Sequence, residues 1–153
     1  MIADLLRPLL HRPCWGAKRG HGSFITFDFG APQGRHGEWH LWIAGCVWLI
    51  ARRGELLAHA ESPDEVVDGA LAALEGRALS SVTLMPDGHT EFRFGADLSL
   101  VTLAGTDTGK WLLYPPDGPV LELREDGAWS TEPGPEEAWT PLHGALVVER
   151  FDA

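Results

Sequence analysis

The chain is poor in cysteine, and this absence limits the possible folds and sites. It has two cysteines, Cys14 and Cys46, in 153 residues. Two are too few for a disulfide framework, and their wide separation excludes a CxxC redox or zinc half-site. We expect both to be buried free thiols, because a free cysteine behaves as a small hydrophobe. The alternative is a reactive Cys14 whose pKa is lowered by Lys18 and Arg19 nearby in the sequence.

Long apolar runs are also missing. A membrane-spanning helix needs about 20 consecutive apolar residues, and the longest run, within residues 37–53, ends at Arg52 and Arg53. The N-terminal stretch carries Asp4 and Arg7 inside its apolar part, which is not typical of a secretory signal. We therefore expect a cytoplasmic protein that does not bind a membrane. Its length favours a single domain over residues 1–153.

Basic residues are scarce after residue 53. Residues 1–53 hold seven basic and three acidic side chains (+4), whereas residues 54–153 hold five basic and nineteen acidic ones (−14), in agreement with the total of −10. So much negative charge repels phosphate, and we expect no nucleic-acid binding. An acidic face suits a basic protein partner. The alternative is a solvated surface that keeps the protein soluble.

Two stretches carry the clearest structural patterns. Residues 37–53 are rich in β-branched and aromatic residues and predict one long central strand with a bulge or bend at Gly45. Ser62 to Gly76 predicts a helix, with Ser62 as N-cap, Glu65 completing a capping box and Gly76 after the last turn. The apolar spacing of residues 2–10 predicts a short N-terminal helix.

The rest of the sequence predicts short strands joined by tight turns. Pro86-Asp87-Gly88, for example, lies between two strand patterns and predicts a hairpin. Neighbouring strands joined in this way pair antiparallel. We therefore predict the α+β class: a mainly antiparallel, strongly bent sheet, either a sandwich or a partly open barrel, with one long helix packed on it and a short N-terminal helix.

Catalytic and metal-binding motifs are absent from the sequence. His36 and His40 occur in HGEWH, which is neither HExxH nor HxxEH. If both lie in one strand they are about 13 Å apart, too far to share an ion. His21, Ser23 and Asp28 do not fit a nucleophilic triad on an extended strand, and no GxSxG motif occurs. We expect no metal, no cofactor and no catalytic residue, and hence a protein that is not an enzyme.

A basic glycine-rich segment offers an alternative site. Residues 12–23 predict a loop in which Lys18, Arg19 and His21 would contact an anionic ligand. The segment is neither a Walker A loop nor a dinucleotide fingerprint.

Six of the seven tryptophans divide into two groups. We expect Trp39, Trp42, Trp48 and Trp111 in the core. Trp129 and Trp139 are flanked by carboxylates and are better candidates for a partner surface, since exposed aromatic residues often dominate interfaces. The predicted surface consists of Trp129, Glu132, Glu136, Glu137 and Trp139.

A resemblance supports this interpretation. The succession of GSFITFDFG, GEWHLWI, LEGRALSSV, FRFG and WLLYPPDG resembles small uncharacterised bacterial α+β domains, some of which occur with the immunity proteins of bacterial toxin systems. The resemblance implies a cytoplasmic protein-binding domain, such as an immunity-type inhibitor, but assigns no residue a role. The alternatives are a protein or enzyme that binds an anionic small molecule at residues 12–23, and a structural or oligomerisation role that includes a homodimer formed through edge strands.

Overall fold

The computed structural model of the chain describes residues 2–20, 24–44, 47–103, 110–124, 126–132 and 136–149. Helix α1 (Ile2–Leu6) continues as a 3₁₀ turn over Arg7–Leu9, and helix α2 covers Asp64–Leu74. A further 3₁₀ turn covers Glu136–Ala138. The described strands are β1 (Cys14–Arg19), β2 (Ile25–Gln33), β3 (His36–Ala44), β4 (Val47–Arg52), β5 (Glu55–His59), β6 (Leu79–Leu84), β7 (Thr90–Phe94), β8 (Leu98–Leu103), β9 (Lys110–Tyr114), β10 (Leu121–Arg124), β11 (Trp129–Ser130) and β12 (Leu146–Glu149).

These strands form two six-stranded antiparallel sheets. The first sheet has the order β1-β2-β3-β9-β10-β11, and the second has the order β12-β6-β7-β8-β4-β5. The chain passes from the first sheet to the second between β3 and β4, returns between β8 and β9, and passes again between β11 and β12. Strands that follow each other in sequence pair within each sheet, as tight turns require.

One apolar core lies between the two sheets. The rings of Phe27 in β2 and Phe94 in β7 are 6.1 Å apart, and Phe92 meets Trp111 of β9 edge to face at 5.6 Å. All four side chains are almost completely buried. The indole Nε1 of Trp111 donates to Thr90 Oγ1 at 3.1 Å, so a polar contact also joins the sheets. The alternation of apolar residues in every long strand supplies this core.

Helix α2 lies along the edges of the two sheets. It contacts β1, the edge strand of the first sheet, and β5, the edge strand of the second. Its predicted apolar stripe is buried there: Val67, Ala70, Leu71 and Leu74. The backbone that follows the helix hydrogen-bonds to β1, since Gly76 N donates to Cys14 O and Cys14 N donates to Arg77 O. The helix thus protects two edges that would otherwise be free to pair with another chain.

The predicted fold class is wrong. The strands are antiparallel, but they form two sheets, with 53% of the described residues in strands or bridges, and the described residues contain no long helix packed on a sheet face. Helix α2 has 11 residues and α1 with its 3₁₀ extension has eight. The prediction allowed a sandwich or a partly open barrel and packed one long helix on the sheet. The position of a helix depends on which distant strands pair, and that pairing leaves no local pattern in the sequence.

Three local predictions also need correction. Residues 37–53 are not one strand, because β3 and β4 belong to different sheets; the predicted bend at Gly45, like Cys46, lies outside the described residues. The predicted basic loop is strand β1 over Cys14–Arg19. Ser62 does not cap α2, since its Oγ accepts from His59 N and Pro63 occupies the N-cap position.

Within the part of the chain that the structure describes, neither helix has the length and apolar character needed to cross a bilayer.

Candidate functional site

His36 and His40 meet in the β2–β3 hairpin, opposite a bulge in β2. The pairing shifts by one residue between Phe29 and Pro32, where Gly30 adopts a φ of 80°. A bulge bends and twists the paired strands, and Glu38 supports this one because its Oε1 accepts from Ala31 N at 2.7 Å. His36 and His40 lie on the same side of β3, and their rings stack with centroids 3.9 Å apart. The expectation that a strand keeps the two histidines too far apart to share an ion is therefore wrong.

Asp28 lies beneath these rings. Its side chain is almost fully buried, with the residue 1% exposed, and it is paired across the strands with His40. Asp28 Oδ1 accepts from Gly37 N at 2.8 Å, lies 2.9 Å from His40 Nδ1 and is 3.9 Å from His36 Nδ1. A carboxylate this deeply buried requires such partners, because its desolvation is costly. Since an ionised carboxylate only accepts, the His40 tautomer with the proton on Nδ1 completes the pair.

Two glycines pack closely around this site. A Cβ on Gly16, which has a φ of 64°, would lie 2.9 Å from Asp28 Oδ2, so glycine here leaves room for the carboxylate. A Cβ on Gly37 would lie 2.6 Å from Phe29 O and 3.1 Å from the Trp15 ring. Glycine at this position therefore lets β3 approach the backbone of β2 beside Asp28.

A cleft of about 420 Å³ opens beside the two histidines on the outer face of the first sheet. We call it the histidine cleft; its lining residues are Gln33, His36, Gly37, Glu38, His40, Trp42, Tyr114 and Pro115. Tyr114 in β9 pairs with His40 across the strands, and their rings are 6.0 Å apart. Trp42 is half-buried rather than in the core, and its ring meets Phe24 edge to face. The cleft therefore combines aromatic walls with two imidazoles backed by a buried carboxylate.

The sequence carried a partial signal for this site. A hairpin turning near Gly34 places Asp28 within one residue of His40 in the opposite strand. The glycines and the proline of residues 30–37 are typical of a loop and conceal that register. Tyr114 is distant in sequence and joins the cleft through the β3–β9 pairing, for which the sequence offers no local signal.

The alternative ligand residues Lys18 and Arg19 lie on β1 beside acidic groups of α2. Arg19 Nε donates to Asp68 Oδ1 at 2.7 Å, and its guanidinium is 3.6 Å from Asp64. The hydrogen bond from Arg19 lowers the pKa of Asp68 below its ordinary value. The adjacent cavity of about 650 Å³ also contains Glu75. His21 lies outside the described residues, and the paired charges here do not favour an anion.

The predicted partner residues surround the end of the first sheet. Trp129 lies in β11, is half-buried and packs against the core. Trp139 is also half-buried, with the Arg124 guanidinium 4.4 Å above its ring. Glu132 and Glu137 are exposed. The backbone of Glu136 belongs to the second 3₁₀ turn, and its side chain lies outside the described set. The tryptophans are thus less accessible than the sequence suggested.

Cys14 is a buried free thiol, as predicted. Its Sγ donates to Leu74 O at 2.9 Å. Burial, with a smaller contribution from the negative charge of Glu75, raises the pKa of the Cys14 thiol to about 12. These surroundings disfavour the thiolate and therefore the alternative of a reactive cysteine.

Comparison with known proteins gives no match to a family model, to a curated protein or to a solved structure. The resemblance to immunity-associated bacterial domains stays a prediction. The geometry of the described residues is the basis for the functional proposals that follow.

Proposed function

We propose that this chain is a ligand-binding protein whose binding site is the histidine cleft. The observation that carries the proposal is the Asp28 carboxylate, which is 1% exposed and is held against two imidazoles at the wall of an open cleft. Buried charged groups next to a concave, aromatic-lined surface are typical of binding sites. A purely structural pairing of Asp28 with His40 requires neither the stacked His36 nor the cleft.

The lining indicates the kind of ligand. The rings of Trp42 and Tyr114, with Pro115, offer an apolar surface to a flat group. The imidazole of His36 offers a nitrogen donor to an acidic group, whereas the Nδ1 proton of His40 is directed at Asp28. A small aromatic or planar carboxylic acid combines both features, and benzoate is a simple probe of this chemistry.

The test is a benzoate titration of untagged, metal-free protein, followed by two-dimensional NMR of the tryptophan indole and histidine ring signals. We expect saturable shifts at Trp42 and His36. His36→Gln removes a half-exposed ring from the cleft and should weaken the shifts. His89→Gln is the matched control, because the His89 side chain is also partly exposed, at 40%, and also pairs with an aspartate, Asp87, at 2.7 Å. Shifts that are scattered over the surface, or that persist in His36→Gln, would contradict the proposal.

Protein binding through an acidic surface is the second candidate function. The observation that favours it is that Glu132 and Glu137 are exposed and form no ion pair with any residue in the described ranges. They lie in the part of the chain that carries a charge of −14. We propose a basic protein partner for this surface, as an immunity-type inhibitor would have.

This candidate is tested by charge reversal. Tagged protein is used to capture partners from a lysate of its own source at low and high salt, with mass spectrometric identification. Reversal of Glu132 and Glu137 to lysine should abolish capture of a basic partner, and high salt should weaken it. Reversal of Glu55 and Glu61, two exposed glutamates elsewhere, changes the net charge equally and should leave capture intact. Equal loss in both variants would show that net charge alone is responsible.

A further inference from the structure

We propose that Asp28, His36 and His40 form a binding site for a divalent transition-metal ion, with Zn²⁺ as the best fit. The inference rests on the proposed function, since it names a ligand of the histidine cleft. Two imidazoles and one carboxylate are the ligand set of open zinc sites that keep one position for water or substrate. The three side chains each offer one ligand atom, and these atoms all lie within 4.8 Å of one another.

The distances are close to those of a bound ion. Zinc bonds of about 2.1 Å in tetrahedral geometry place ligand atoms roughly 3.4 Å apart. Asp28 Oδ1 is 2.9 Å from His40 Nδ1 and 3.9 Å from His36 Nδ1. The Asp28–His40 distance has to lengthen and the Asp28–His36 distance to shorten by about half an ångström. The two imidazole rings, which are stacked, also have to turn so that both nitrogen lone pairs converge on the ion. The ion would take the place of the proton that His40 now shares with the carboxylate.

The buried side of the site is already fixed. Asp28 is held by the Gly37 N–H at 2.8 Å and enclosed by Gly16, and the His40 side chain is only 13% exposed. A backbone donor to a ligating carboxylate is the usual outer support of a metal site. The His36 side chain is 51% exposed and stands at the open side. It is the one ligand whose side chain has to become ordered when the ion binds. An ion would reach the site from the cleft, past the His36 ring.

The ligand types discriminate between ions. Imidazole nitrogen suits Zn²⁺, Co²⁺, Ni²⁺ and Cu²⁺, whereas Ca²⁺ and Mg²⁺ require mainly oxygen ligands. Three protein ligands leave at least one coordination position, and Trp42 and Tyr114 line the cleft beside the two histidines. A carboxylate of the kind proposed above can occupy that position directly.

The experiment is calorimetric titration of untagged, chelator-treated protein with ZnCl₂, repeated with CoCl₂ while the visible absorption of Co²⁺ is recorded. The tag is omitted because it would supply histidines of its own. We expect one ion per chain, a Co²⁺ spectrum of low coordination number, and no binding of MgCl₂ or CaCl₂. His36→Gln should weaken Zn²⁺ binding by more than about 100-fold, which exceeds the effect of losing an outer-shell partner. His89→Gln should leave the affinity unchanged.

Absence of Zn²⁺ binding would overturn the proposal, as would binding that His36→Gln leaves intact or that His89→Gln weakens equally. Asp28→Asn is a second variant, expected to abolish binding. If Asp28→Asn fails to fold, the His36→Gln variant still decides, since that ring is half-exposed and lies outside the core.

The benzoate titration is run without metal, so it tests the proposed function separately from the metal site. A shift with benzoate but no Zn²⁺ binding would reject the metal site and keep the ligand-binding cleft.

Discussion

Asp28 and Cys14 are two buried polar residues of the same region with different neighbours. Asp28 Oδ1 accepts from the Gly37 N–H and lies 2.9 Å from His40 Nδ1, so its buried oxygen has hydrogen-bond partners. Cys14 is desolvated by burial and lies near the carboxylate of Glu75, and both disfavour the thiolate. The partners of each group, and not burial alone, therefore determine what it can do.

At the residue scale, we predict that Cys14 resists alkylation in the folded protein. Its pKa is raised from 9.0 to about 12; a smaller thiolate fraction, partly offset by higher nucleophilicity, should slow the reaction with iodoacetamide at least about 30-fold relative to the unfolded chain. The measurement is peptide-resolved mass spectrometry, which separates Cys14 from Cys46. Rapid labelling of Cys14 under native conditions would be inconsistent with its position.

The same raised pKa has a consequence for stability. The neutral thiol is favoured in the folded state, so its contribution is complete below the unfolded-state pKa near 9.0 and is lost as the pH rises towards about 12. The free energy of unfolding, measured by chemical denaturation, should therefore decrease across that alkaline range. In Cys14→Ala the decrease should be smaller.

At the scale of elements, α2 shows which of the helix signals in the sequence the structure follows. Its buried stripe and its Gly76 end, with a φ of 80°, agree with the sequence pattern. The N-terminal capping box does not form, because the Ser62 hydroxyl accepts from His59 in the turn that follows β5. A serine can serve either turn, and the sequence of the helix alone does not decide between them.

Helix α2 provides a test of backbone effects. Gly69 lies exposed inside α2, and a Cβ there would meet no atom within 4 Å. Gly69→Ala should raise the free energy of unfolding by about 0.5–1 kcal/mol, because alanine loses less backbone freedom on folding. Gly76→Ala is the control: it also has open space, but its positive φ makes the same change destabilising by about 1 kcal/mol or more. Urea unfolding measures both, and shifts of the same sign would refute the argument.

At the scale of the whole molecule, the two sheets are joined by an apolar core and by the hydrogen bond from Trp111 to Thr90. Both partners are about 1% exposed. Water cannot replace the lost acceptor at that depth, so the indole N–H depends on the threonine of the opposite sheet. The contact fixes how β7 and β9 face each other.

We predict that Thr90→Val lowers the free energy of unfolding by about 1–3 kcal/mol, because it leaves the Trp111 N–H buried without an acceptor. The matched control is Thr26→Val. Thr26 Oγ1 is buried without a hydrogen-bond partner among the described residues, so its replacement by a methyl group should be neutral or stabilising. Chemical denaturation of both variants checks the difference, and equal losses would argue against a specific role for the inter-sheet bond.

The sequence by itself determined the local features of this protein. Ile25, Phe27 and Phe29 alternate with other residues in the sequence and form the buried face of β2, and the turn at Pro86-Asp87-Gly88 identified the β6–β7 hairpin. Side-chain alternation and turn chemistry act between residues a few positions apart, so they can be read without the fold.

Only the tertiary structure decided that β3 and β4 belong to different sheets and that Tyr114 joins the histidine cleft. It also decided that His36 and His40 meet beside Asp28, which depends on the register of the β2–β3 hairpin. An apolar run with two hydrophobic faces is compatible with one long strand or with two strands in opposite sheets. The choice depends on which distant strands pair with it, and that information is spread over the whole chain.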